Sequence, residues 1–105
     1  MRVISKRRLR EFFEKHSQAR EPLLAWYKAA LAADWSNIQE VRQTYAHADA
    51  VTLSSGLTVT VFNIGGGKYR LIARMIFEYR RVYVKLVLTH AEYSRESWKR
   101  QLCRE

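Results

Sequence analysis

Two arginines four residues apart, Arg70 and Arg74, lie in a run of β-branched and apolar residues from Tyr69 to Glu78. If the run is a strand, Arg70, Ile72, Arg74, Ile76 and Glu78 share one face, and Tyr69, Leu71, Ala73, Met75 and Phe77 share the other. The second face reads as core. The first carries two guanidiniums on a rigid scaffold, and a guanidinium can grip a phosphate through two parallel hydrogen bonds, as an ammonium cannot. The plainer alternative is a pair of solvated arginines answering Glu78 and surface neighbours, and spacing alone leaves both open. His90 and Tyr93 form a second set. An imidazole can take a proton from a hydroxyl near neutral pH, and at a spacing of three on a helix Tyr93 projects from the same side. Here the alternative is a helix-start hydrogen bond without catalysis.

Other groups offer less. His16 and His47 lie in the N-terminal half without an obvious partner and read as structural. The three histidines and ten acids show no His-x-x-x-His or Asp-x-Asp arrangement, so neither a hydrolytic metal centre nor a cofactor is expected. Gly65-Gly66-Gly67-Lys68 lacks the spacing of a P-loop and no helix follows it; a hairpin turn needing positive φ explains it better. The single cysteine, Cys103, allows no internal disulfide and no cysteine-based zinc site.

These residues sit in a chain of 105 with 19 Lys and Arg against 10 Asp and Glu, a formal charge of +9, and 48% hydrophobic residues. The size and apolar content predict one packed domain over residues 1–105, too small for a cofactor domain plus a substrate domain. The charge favours a polyanionic partner: RNA, DNA or an acidic protein. It is uneven, +5 over residues 1–20, −2 over 21–50, zero over 51–64 and +6 over 65–105. The basic start is followed by no apolar signal segment, and no run is long enough to span a membrane, so a soluble cytoplasmic protein is expected.

The elements that must position the arginines and His90 follow from period and caps. A basic helix is expected from Ser5 to about His16, with Leu9, Phe12 and Phe13 as its apolar stripe, and a second from near Pro22 to about Ala33. Ser36 and Gln39 have capping-box spacing, predicting a third helix to about Gln43. Beyond it the period becomes two: strands are expected at Val51–Leu53, Leu57–Ile64, Tyr69–Glu78 and Val82–Leu88, joined by turns at Ser55-Gly56, the three glycines, and Tyr79–Arg81. Thr89 and Glu92 again have capping-box spacing, so a C-terminal helix should run to about Leu102. The sum is an α+β domain, with N-terminal helices and a C-terminal helix packed on one face of a small antiparallel sheet.

The segment Phe62-Asn63-Ile64-Gly65-Gly66-Gly67-Lys68-Tyr69-Arg70-Leu71-Ile72-Ala73, followed by Phe77, Leu88-Thr89-His90 and Ala91-Glu92-Tyr93, resembles the HigB family of bacterial type II toxins, within the RelE/ParE-like superfamily. The resemblance implies a RelE-like fold and a ribosome-dependent mRNA endoribonuclease that needs no metal. Its partners would be mRNA on the ribosome and a cognate helix-turn-helix antitoxin of the HigA type. In such chemistry the ribose 2′-hydroxyl attacks the adjacent phosphate, which asks for a base, a proton source and positive charge at the phosphate. Arg70 matches the Tyr-Arg position after the glycine turn and would stabilise the phosphorane. Arg74 would be a second clamp, with Lys68 and Lys85 among the phosphate-binding cations, and His90 with Tyr93 would handle proton transfer and base stacking. Asn63 aligns with a position where some relatives carry lysine, so here it could only hydrogen-bond and orient. A ParE-like gyrase poison and a noncatalytic RNA-binding module are the alternatives on the same fold.

Overall fold

The hydrophobic period changes near residue 50, and the chain changes element there. The computed structural model, which describes residues 1–103, runs β1 (Arg2–Ile4), α1 (Lys6–Lys15), α2 (Arg20–Ala32), α3 (Ile38–Thr44), β2 (Asp49–Thr52), β3 (Thr58–Ile64), β4 (Tyr69–Ile76), β5 (Arg81–Thr89), α4 (His90–Ser94) and α5 (Ser97–Cys103). Single 3-10 turns at Ser17–Ala19 and Phe77–Tyr79 precede α2 and β5. Ser5 is the N-cap of α1, as expected. The cap of α3 falls one residue later than expected: Asn37 Oδ1 accepts the Glu40 N–H at 3.0 Å, and the Glu40 carboxylate accepts the Ser36 N–H at 2.8 Å. A carboxylate in the first turn gains from the positive helix end, which Gln39 could not match. The C-terminal helix, expected to be continuous, breaks at Glu96, whose φ is +60°. The break frees the Tyr93 carbonyl to accept from Trp98 Nε1 at 3.0 Å. No helix among the described residues is long and apolar enough to cross a membrane.

The sheet order is β1-β5-β4-β3-β2. Strands β2 to β5 form the expected antiparallel meander. β1 was not expected; it lies parallel to β5, pairing Arg2 with Arg81 and Ile4 with Tyr83, and makes the sheet mixed. Three residues are too few to show a period, and their partner lies at the other end of the chain.

Helices cover both faces, not one. On the first face Leu9, Leu23, Trp26 and Val41 of α1 to α3 pack against Phe62, Ile64, Leu71, Ala73, Val82 and Val84. On the second, Trp98 and Leu102 of α5, four residues apart on one helical stripe, pack on Val59, Val61 and Ile72. β3 is apolar on both sides, so each side needs a cover. β4 keeps the alternation read from sequence, but β5 does not: Ile72 pairs with Leu86 and Ala73 with Val84, so Lys85 is the extra residue of a bulge. Leu86 and Leu88 therefore join the second face, where strict alternation from Val82 would have put them on the first.

The β3–β4 connection needs its glycines. Gly65, Gly66 and Gly67 have φ of +63°, +68° and +91°, and a Cβ on Gly65 would stand 3.4 Å from the Tyr69 ring. The Gly65→Ala chain is expected to be less stable by about 1–2 kcal/mol, the cost of a left-handed non-glycine residue, read from denaturant unfolding of the purified protein.

Candidate active site

The site grows from the hairpin that those glycines allow. Antiparallel register sets Asn63 of β3 directly opposite Arg70 of β4, with Leu88 of β5 on the other flank. Opposed side chains on one face are near neighbours, so the sheet brings Asn63 and Arg70 together. Arg70 is half-buried. Its Nη1 donates to the Gly67 carbonyl at 2.6 Å and to the Tyr69 carbonyl at 3.2 Å, and its guanidinium carbon stands 5.4 Å from the Tyr93 ring centre. Tyr93 in turn stacks on Trp98, centroids 5.4 Å apart and planes 17° apart. Arginine, tyrosine and tryptophan thus form a three-layer stack. Among the described residues no carboxylate pairs with Arg70 and no protein acceptor meets its Nε or Nη2. One edge of the fork is held while the other stays open for an anion.

Thr89 ends β5 and starts α4 with a complete capping box: its Oγ1 accepts the Glu92 N–H at 3.2 Å, and Glu92 Oε1 accepts the Thr89 N–H at 2.9 Å. His90, next in sequence, donates its backbone N–H to the Lys68 carbonyl at 3.0 Å. That bond ties the start of α4 to the hairpin turn, so His90 and Lys68, both exposed, rim the same end of the sheet as Arg70. Ser94 Oγ lies 3.5 Å from His90 Nδ1 and donates to the His90 carbonyl at 2.9 Å. The guanidinium and the Tyr93 ring are thus in contact, and the His90 imidazole lies at the start of the helix that carries Tyr93.

Arg74 and Lys85 stand apart from this cluster. Arg74 is on the Arg70 face, four residues and about 13 Å further along β4, with buried Ile72 between them. It lines a trough of about 350 Å³ with Ile76, Tyr79, Arg81, Tyr83 and Lys85. Arg81, Tyr83 and Tyr79 are not among the residues expected from sequence, where Tyr79 and Arg81 fall in a turn; the alternation of Arg81 with Tyr83 is the available signal. His16 stacks on Phe12 at 4.4 Å, the structural role expected of it. At the far end of α5 the Ser54 hydroxyl, 3.4 Å from Cys103 Sγ, lowers that thiol below its usual range. Among the described residues no group of three or more His, Cys, Asp or Glu side chains is placed to hold a metal ion.

Comparison with known proteins shows the family of the chain. A family profile described as "HigB_toxin, RelE-like toxic component of a toxin-antitoxin system" matches residues 19–96. The chain is 26% identical over 93 residues to "mRNA interferase toxin HigB" of Escherichia coli strain K12, covering 89% of this chain and 88% of that protein. Identity to "mRNA interferase HigB" of Escherichia coli O6:H1 is 28% over 95 residues, 90% of each. The "mRNA interferase HigB" of Shigella flexneri is 26% identical over 93 residues, with 89% and 88% covered. With the matched region spanning α2 to α4 and the whole hairpin that carries Arg70, the chain belongs to the HigB family, the RelE-like toxic components of toxin-antitoxin systems.

Proposed function

We propose that the chain is an mRNA endoribonuclease toxin acting on translated messages at the ribosome, without metal, and neutralised by a cognate antitoxin of the HigA type. The names of the relatives support message cleavage, and the open fork of Arg70 is the observation that carries the reading to a residue. The attacking 2′-hydroxyl loses its proton to a base as its oxygen bonds to phosphorus. The bond from phosphorus to the 5′-oxygen then breaks, and that oxygen takes a proton, leaving a cyclic phosphate and a 5′-hydroxyl. Arg70 Nε and Nη2 would hold the phosphoryl oxygens as charge builds on them. Its Nη1, fixed on two carbonyls, keeps the fork from turning away. His90 is assigned the base. Tyr93, its ring already taken up between Arg70 and Trp98, is assigned the leaving-oxygen proton through its hydroxyl. Asn63 would orient the ribose, and Lys68 would attract the strand at the rim.

Induction in a bacterium with mapping of transcript 5′ ends tests the reading. In-frame cuts confined to translated messages are expected. Cuts in naked RNA would overturn ribosome dependence, and DNA damage with intact transcripts would mark a gyrase poison. A pair of variants separates the proton carriers. His90→Ala is expected to lower single-turnover cleavage by about 10²-fold or more, the ordinary contribution of a general base. Tyr93→Phe keeps the ring on Arg70 and is expected to lose less. The reverse order would make Tyr93 the base.

A further inference from the structure

The trough beyond Ile72 is built for more than attraction. Its lining interleaves the cations Arg74, Arg81 and Lys85 with Tyr79 and Tyr83 around Ile76, and among the described residues no acid lines it. Arg81 stands 5.9 Å from the Tyr79 ring centre, and Tyr79 is 68% exposed. The turn before β5 is pinned: Arg80, at φ +53°, pairs with Asp34 at 2.6 Å, reaches Ser36 Oγ at 3.2 Å and donates to the Phe77 carbonyl. Tyr79 and Arg81 are therefore held in place before any ligand arrives. The α5 helix covers the neighbouring Val59, Val61 and Ile72 but not this part of the face. On the β5 side, half-buried Leu88 and Leu86 lead from the flank of Arg70 toward it.

We infer that this trough is a binding site for single-stranded RNA, seating the nucleotides of the message that flank the scissile phosphate. Cations alone would suit any polyanion. The exposed Tyr79 ring and the half-buried Tyr83 ring between them select a strand whose bases are free to stack, since a duplex hides the faces of its bases and offers side chains only its phosphates and groove edges. An acidic protein segment would find the charges but leave the aromatic faces without a π partner. The assignment to the message rests on the nuclease reading; the site for single strands does not.

The test is fluorescence anisotropy of the full chain with a short labelled single-stranded RNA and with a hairpin duplex of equal length, across a salt series. Tyr83→Ala is expected to weaken single-strand binding by about tenfold or more, the usual loss of one stacking platform. Tyr83→Phe is expected to retain affinity, which guards against a folding artefact, and Arg81→Ala to reduce the salt slope by about 0.7. Equal loss for single strand and duplex would overturn the proposal in favour of docking to ribosomal duplex RNA. Unchanged RNA binding with loss of antitoxin co-purification would overturn it in favour of a protein occupant. If the variants lose single-strand binding but the parent chain cuts no transcript, the nuclease reading fails and the trough stands. If the parent cuts transcripts and the variants bind and cut as it does, the trough fails and the nuclease stands.

Discussion

Cells induced for the Arg70→Ala chain should grow as uninduced cells do, with translated messages intact. The cause is electrostatic. As the 2′-oxygen attacks, charge accumulates on the phosphoryl oxygens, and Arg70 is the cation whose Nε and Nη2 face solvent unclaimed beside a half-buried ring. Loss of one preorganised donor to such charge costs about 10²–10³ in rate, and a guanidinium stabilising transferring phosphoryl groups can be worth more. Arg70→Lys keeps a charge but not the planar fork that holds two carbonyls and stacks on Tyr93, so it should recover only part of the cleavage. Because the side chain is half-buried with no ion pair among the described residues, thermal unfolding and antitoxin co-purification should change little. Growth arrest by Arg70→Ala at equal expression would remove Arg70 from the chemistry.

The second large effect is expected at Trp98, a residue away from the phosphate. It is 3% exposed, stacks on Tyr93 and donates from Nε1 to the Tyr93 carbonyl. With Leu102 it is the apolar stripe by which α5 closes the second face over Val59, Val61 and Ile72. Trp98→Ala should cost about 3–5 kcal/mol, a large share of the roughly 5–15 kcal/mol that holds a domain folded, read as a lowered denaturant midpoint. Cleavage should fall as well, even where the chain is folded, because Tyr93 loses the layer beneath it. Leu102→Ala supplies the comparison. It empties the same apolar layer, at about 2–5 kcal/mol, without touching the stack, so its cleavage at a temperature where it is folded should stay near that of the parent. Equal loss of cleavage in both variants would reduce Trp98 to a core residue.

Much of the site was legible because its parts are local. The parity of β4 follows from the alternation of Arg70, Ile72 and Arg74 with Leu71 and Ala73. The cap at Thr89 follows from the reach of Glu92 across one helical turn. The glycines announce a turn in which φ is positive. Most of the features that were not legible involve a second, distant segment. Strand parity groups Arg74 with Arg70 and charge adds Lys85, whereas the bulge and the buried Ile72 set both in a separate trough. A turn is expected at Tyr79–Arg81, which hides Tyr79 and Arg81 as strand-edge residues. The 3-10 turn ends at Tyr79, and Arg81 is already paired with Arg2 of β1.

The residues themselves determined the class of fold, the order of elements from α1 to β5, the basic character and the hairpin that presents Arg70. Caps, turns and short-range periodicity depend on neighbours within a few residues, so they are written in the chain. Tertiary structure decided which face each helix covers, where β5 bulges, and that Trp98 supports Tyr93 beneath Arg70. Those outcomes depend on how apolar area is shared between two faces of one sheet and on backbone pairing between β1 and β5, at opposite ends of the chain. No local spacing records either. The Arg70 fork is the plainest instance: its residue type is in the sequence, but which of its edges is left open is set by the two carbonyls and the ring that occupy its other sides.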